Sequence, residues 1–135
     1  MVSQTTRYAF QILGYLAAKE GERVRGDEIA RDTGIPANYL SKILNQLRKS
    51  GMVTSQKGWG GGFMLRPEAL ERPIYDVLAI FDGADRRGPA ACVFGLPKCD
   101  DANPCPLHPH WAKIRETYNE MLGQTRIANL KSLPR

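Results

Sequence analysis

Long apolar runs are absent from this sequence. No stretch reaches the roughly 20 apolar residues that a membrane-spanning helix requires, so we expect no membrane partner. Polar residues interrupt the apolar stretch after the N-terminus and no cleavage pattern follows it, so we expect a cytoplasmic protein without a signal peptide. The 135 residues, 42% of them hydrophobic, suffice for one small globular domain with its own core.

Cysteine and histidine are scarce, with three and two residues in the chain. In a reducing compartment, three cysteines favour metal binding or redox chemistry over structural disulfides. The sequence also offers no Ser-His-Asp set and no carboxylate pair with an arguable pocket. We therefore expect a protein that is not an enzyme.

Acidic residues are missing between Asp32 and Glu68. The basic residues in the same stretch are Lys42, Arg48, Lys49, Lys57 and Arg66, and the chain has a formal net charge of +5. A solvated basic face is one explanation. We favour contact with nucleic acid, because a polyanion favours a surface free of like charge.

Apolar periodicity and glycine positions predict a mainly α-helical chain with one small β-hairpin. The expected helices cover residues 5–19, a short segment from Asp27, a segment from Pro36 to a stop at Gly51, residues 74–82 and residues 109–129. The expected hairpin has strands 52–56 and 63–65 around a glycine-rich turn. That glycine run is a poor nucleotide-binding loop, because no Lys-Ser/Thr pair follows it.

Two helices joined by a tight glycine turn form the helix-turn-helix pattern, and a hairpin directly after them is a wing. We therefore expect a winged helix-turn-helix DNA-binding domain over residues 1–83. A cysteine-rich ligand loop would cover residues 84–108, and a long dimerisation helix with a C-terminal tail would cover residues 109–135.

The second helix of such a unit lies in the major groove of double-stranded DNA, with its N-terminal residues at the base edges. Asn pairs well with adenine and Lys with guanine. The expected DNA-binding residues are Asn38, Tyr39, Ser41, Lys42, Arg48, Lys49, Lys57 and Trp59. The Tyr39 ring can pack on the first helix while its hydroxyl meets a phosphate, and Trp59 can rest on the DNA backbone or on a partner domain.

All three cysteines lie in a segment rich in Gly, Pro and Asp, and both histidines follow the last of them. Cys92, Cys99, Cys105 and His108 offer three thiolates and one imidazole, which suit an iron–sulfur cluster or zinc. Spacing alone leaves the metal open. The alternatives are a zinc-stabilised (Cys3His) structural or RNA-binding protein and a thiol redox switch.

The last predicted helix carries apolar residues that alternate three and four positions apart. They are Trp111, Ile114, Tyr118, Met121 and Thr125, followed by Ala128. Packing on the protein's own domain would explain this seam. We favour a homodimer helix, because the preceding domain already has a core.

Several of these motifs resemble the bacterial iron–sulfur cluster regulator family, which comprises winged-helix transcription regulators of the IscR and NsrR type. The similar segments are residues 8–17, 35–51, 58–65 and 74–83, followed by the three cysteines and a long helix. The resemblance is nearest to the IscR branch, because His108 matches its Cys-x-x-His fourth ligand. Residues 1–19 contain no Asp, Glu or His that could replace this ligand from the partner's first helix.

By this resemblance Cys92, Cys99, Cys105 and His108 hold an iron–sulfur cluster, with a 2Fe–2S cluster favoured over a 4Fe–4S cluster. The resemblance also implies a homodimeric repressor that binds promoter DNA and senses cluster status, redox state, iron or nitric oxide. Two departures affect the details. The first cysteine gap is one residue longer than in the IscR branch, and Ser41 stands where that branch has a glutamate that senses cytosine.

Overall fold

The computed structural model describes residues 2–83 and 102–134. The helices are α1 (Gln4–Ala18), α2 (Gly26–Thr33), α3 (Ala37–Lys49), α4 (Tyr75–Asp82) and α5 (His108–Gln124), and the strands are β1 (Val53–Gln56) and β2 (Gly62–Leu65). Two short 3₁₀ helices, Pro67–Glu71 and Ile127–Ser132, complete the described elements. The predicted mainly helical fold with one antiparallel hairpin is confirmed. No helix in the two described ranges is long and apolar enough to cross a bilayer.

The turn between α2 and α3 follows from Gly34, which adopts the left-handed conformation at φ 75°. Glycine takes this conformation without steric cost, and Ile35 then enters the core. Pro36 is the N-cap residue of α3, so the helix begins at Ala37, one position after the predicted start at Pro36. The inward stripe of α3 is the predicted one, Leu40, Ile43, Leu44 and Leu47, and all four are buried.

The wing is attached to the helix-turn-helix unit by backbone hydrogen bonds. The Val24 amide donates to the Phe63 carbonyl at 2.8 Å, and the Phe63 amide donates to the Val24 carbonyl at 2.7 Å. Gly62 makes this approach feasible, because a Cβ at this position would lie 2.6 Å from the Val24 carbonyl oxygen. The hairpin therefore has a fixed position beside the start of α2.

The C-terminal end differs from the prediction, because α5 ends at Gln124 and the expected helix through Asn129 is wrong. The chain turns at Thr125, whose carbonyl accepts a hydrogen bond from the Ile74 amide at 2.9 Å. The following 3₁₀ helix buries Ile127 and Leu130 in the common core. Periodicity could not reveal this bend, because the gain comes from packing against residues distant in sequence.

Gly14 lies where α1 packs closely against the C-terminal 3₁₀ helix. A Cβ on Gly14 would lie 2.5 Å from the Leu130 carbonyl oxygen and 3.1 Å from the Leu133 side chain. Backbone atoms cannot move aside as a flexible side chain can. The absence of a side chain at Gly14 therefore permits the tail to join the core.

We expect Gly14→Ala to lower the free energy of unfolding by roughly 1–3 kcal/mol, because overpacking outweighs the better helix propensity of alanine. Gly123→Ala is the matched control, since its Cβ would meet open space in α5. This control should gain up to about 1 kcal/mol. Urea unfolding followed by circular dichroism measures both values, and a Gly14→Ala protein as stable as the wild type would contradict the packing described.

Candidate nucleic-acid interface

The outward face of α3 carries six of the eight residues that the sequence predicts for DNA contact. Asn38, Tyr39, Ser41, Lys42, Arg48 and Lys49 are all exposed. Their exposure follows from the helical period, because the buried leucine and isoleucine stripe occupies the opposite face. Arg48 Nη2 donates a hydrogen bond to Asn45 Oδ1 at 2.8 Å, which holds the guanidinium along the helix surface.

The first aromatic side chain of α3 contacts α1. The ring centroids of Tyr39 and Tyr8 lie 6.2 Å apart with the planes tilted by 50°. Tyr39 nevertheless remains 52% exposed. The structure thus brings the Tyr39 ring against the first helix, as one half of the sequence interpretation expects.

A cleft of about 430 Å³ separates α3 from the wing. Its polar lining includes Ser41, Asn45 and Arg48 from α3, Ser55 from β1 and Asp27 from α2, and its apolar lining includes Phe63. Asp27 and Ser55 are not among the site residues that the sequence predicts. Asp27 lies beside α3 because α2 packs on α3, and Ser55 lies there because the wing docks beside the helix. A local sequence pattern does not show either arrangement.

The wing tip projects into solvent. Lys57 is exposed, and the Trp59 side chain is completely exposed at 101% of its reference area. Gly58 and Gly60 flank this tip with positive φ values of 86° and 73°. Trp59 makes no contribution to the core of the described chain, so both contacts considered for it, DNA and a partner domain, would be intermolecular.

A hydrogen bond between α1 and α2 fixes the first helix of the helix-turn-helix unit against α1. Tyr15 Oη donates to Asp32 Oδ2 at 2.6 Å. Burial, together with this bond, raises the pKa of Tyr15 above its ordinary value. The hydrogen bonds from Tyr15 and then Arg31 lower the pKa of Asp32. The pair therefore stays a phenol bound to a carboxylate at neutral pH.

A tight turn joins the last cysteine to α5. The His108 amide donates to the Cys105 carbonyl at 3.0 Å, and both residues are half-buried. Such a turn keeps residues i and i+3 close together, and a thiolate with an imidazole is a donor pair that suits iron or zinc. Cys92 and Cys99 lie outside the described residues. Within residues 2–83 and 102–134, no three His, Cys, Asp or Glu side chains form a metal-binding group.

α5 has two apolar faces. Leu122, which the sequence analysis did not name, is fully buried in the core, whereas Ile114 and Met121 are about half exposed. Trp111 and Tyr118 are half-buried, and Thr125 lies directly after the last helical residue. An apolar cleft of about 460 Å³ is lined by Lys113, Ile114, Thr117, Tyr118 and Met121.

Comparison with known proteins identifies relatives along almost the whole chain. The family model described as Rrf2, iron-dependent transcriptional regulator, matches residues 2–132. A putative HTH-type transcriptional regulator of Aquifex aeolicus is 34% identical over 130 residues, which cover 95% of this chain and 89% of that protein. The HTH-type transcriptional regulator IscR of Yersinia pseudotuberculosis is 30% identical over 103 residues, or 76% of this chain and 61% of that protein.

Solved structures share the fold. CymR, the global cysteine regulator of B. subtilis, has a TM-score of 0.79 and 26% identity, with 100% of this chain and 98% of that chain covered. IscR of T. potens has a TM-score of 0.70 and 22% identity, with 100% and 93% covered. These relatives are transcriptional regulators, so the chain is a regulator and not an enzyme, as expected from its residues. The match over residues 2–132 establishes that this chain belongs to the Rrf2 family of iron-dependent transcriptional regulators.

Proposed function

We propose that this protein is a homodimeric repressor that binds promoter DNA and whose affinity depends on an iron–sulfur cluster. The observation that carries the proposal is the Cys105–His108 turn at the start of α5. The turn brings the backbones of a cysteine and a histidine together, and the other two cysteines precede it in the same segment of the sequence. The IscR relative and the iron-dependent family description support iron over zinc.

Cys92, Cys99, Cys105 and His108 would hold the cluster, a 2Fe–2S centre in preference to a 4Fe–4S centre. When bound, such a cluster supplies a centre that responds to redox state, iron supply or nitric oxide. The chain's own contribution is its connectivity, because residues 83–107 join α4 of the winged helix-turn-helix domain to α5. Ligands on this segment therefore connect the DNA-binding part to the proposed dimer helix.

The DNA contact is assigned to the exposed face of α3 and to the wing. Asn38, Ser41 and Lys42 occupy the N-terminal half of α3, the part that meets base edges in helix-turn-helix proteins. Tyr39, Arg48, Lys49, Lys57 and Trp59 would contact the DNA backbone. The support for this assignment is an outward face that is basic and free of acidic residues along α3.

Dimerisation is assigned to the exposed apolar face of α5. Leu107, Ile114 and Met121 follow one another at intervals of seven residues, and so do Trp111, Tyr118 and Thr125. A seven-residue repeat with positions three and four apart is the seam that packs helix against helix. The large apolar side chains of this seam that the core leaves exposed are Leu107 at 42%, Ile114 at 50% and Met121 at 48%.

The ligand assignment predicts different behaviour for the two histidines. His108→Ala should lose visible absorption and most iron and sulfide after anaerobic purification, whereas His110→Ala should keep the wild-type content. Cys105→Ser should also lose the cluster. The cluster content of each variant is measured by iron and sulfide analysis and by the visible absorption spectrum. A colourless wild-type protein with stoichiometric zinc would refute the cluster and support the zinc-stabilised alternative.

The DNA assignment predicts two separable effects in binding titrations with promoter duplexes. Lys57→Ala should weaken binding to all sequences because one phosphate contact is lost. The steepness with which the logarithm of the binding constant falls with the logarithm of the salt concentration should decrease by about one. Asn38→Ala should keep the slope and lose about 1–3 kcal/mol of discrimination at one base pair. Lys131→Ala, outside the helix-turn-helix unit and wing, is the control. An unchanged slope in Lys57→Ala would remove the wing from the interface.

The dimer assignment predicts that Ile114→Glu produces monomers. A charge buried in an apolar seam should raise the dimer dissociation constant by roughly 100-fold or more. Gln124→Glu introduces the same charge at an exposed position at the end of α5 and should leave the dimer intact. Sedimentation velocity separates the two species. Equal dimer fractions in both variants would place the interface elsewhere.

A further inference from the structure

The start of α1 is held by the end of α4. Asp82 Oδ2 accepts hydrogen bonds from Thr6 Oγ1 at 2.9 Å and from the Ser3 amide at 3.3 Å. The Ser3 hydroxyl in turn caps the helix by accepting from the Thr6 amide at 3.2 Å. Thr6 is fully buried. The first turn of α1 therefore has a defined position relative to the core, and Tyr8 follows directly from it.

Tyr8 links the start of α1 to α3 through its contact with Tyr39. Its ring is half-buried against the core and contacts the Tyr39 ring at 6.2 Å between centroids. Tyr39 lies in the first turn of α3 and is 52% exposed, so its outer part faces solvent. Leu40, the next residue, is buried and fixes the backbone there. The contact with Tyr8 thus restricts the Tyr39 side chain, which is otherwise about half exposed to solvent.

A restricted aromatic side chain binds with a smaller entropic penalty than a mobile one. Immobilising a flexible side chain at an interface lowers the affinity by roughly 2- to 12-fold. Aromatic pairs at this separation are attractive in themselves. A ring already held in place would therefore offer its hydroxyl to a phosphate without that cost.

We infer that Tyr8 is a positioning residue for DNA binding: it makes no DNA contact itself and holds Tyr39 so that the phenol meets the DNA backbone. This inference rests on the proposed DNA-binding function of α3. It adds a residue of α1 to the set that determines affinity. It also gives Tyr8 a role that depends wholly on the presence of the Tyr39 side chain.

The test is a double-mutant cycle measured by fluorescence anisotropy. The probes are a labelled duplex of the protein's own promoter and a scrambled duplex of equal composition. Tyr8→Leu should weaken promoter binding by roughly 3- to 10-fold, whereas Tyr8→Phe keeps the ring and should bind as the wild type. In a Tyr39→Ala background, Tyr8→Leu should have no further effect. Thermal unfolding of each variant checks that it is folded, and Tyr8→Met provides a second variant if Tyr8→Leu does not fold.

The outcomes separate the inference from the function on which it rests. A wild-type protein that binds neither duplex refutes the proposed DNA binding and the role of Tyr8 with it. If the wild type binds and Tyr8→Leu or Tyr8→Met binds equally well, only the inference is overturned. The inference also fails if loss of the Tyr8 ring weakens binding to the same extent with and without Tyr39, because Tyr8 would then act through the fold in general.

Discussion

Burial of α1 is the constraint on which the remaining structure depends. The almost completely buried residues of this helix include Ala9, Ile12, Leu13, Gly14 and Leu16, and they extend beyond one amphipathic stripe. A helix buried on several sides must be covered by several elements. α3, α4 and the C-terminal 3₁₀ helix all pack on it. As a result, α3 shares one core with α4 and α5, the two helices on either side of the cysteine segment.

This shared core explains how a small chain can hold the outer face of α3 and the wing in a defined arrangement. α3 uses one face for the core and leaves the other for solvent, and the wing is secured by the backbone pair between Val24 and Phe63. The Tyr15–Asp32 hydrogen bond then fixes α2 against α1. The core and these hydrogen bonds therefore fix the relative positions of α2, α3 and the wing, whose outer surfaces carry the polar and basic side chains.

α5 is joined to the core near its C-terminal end and leaves other apolar side chains exposed. Leu122 attaches the helix to the core, and the turn at Thr125 attaches the chain that follows it to the segment before α4. Ile114 and Met121 remain outside this packing. The Cys105–His108 turn lies at the other end of the same helix. One helix therefore connects the Cys105–His108 turn, the exposed apolar face and the common core.

The sequence by itself determined the elements with strong local signals. The stripe of Leu40, Ile43, Leu44 and Leu47, the left-handed glycine turn and the glycine-rich hairpin depend on neighbouring residues only, so the winged-helix fold could be predicted. The outward residues of α3 followed from the same period. The family resemblance agreed with the later comparison, because it rested on motifs spread along the chain.

Only the tertiary structure decided where α5 ends, that Leu122, Ile127 and Leu130 belong to the core, and that Asp27 and Ser55 line the cleft beside α3. It also decided the contacts of Tyr8 with Tyr39 and of Asp82 with Thr6. Each of these joins residues far apart in sequence. Their energies come from close packing and hydrogen bonds between elements, and a local pattern of hydrophobic and polar residues carries no record of which elements meet.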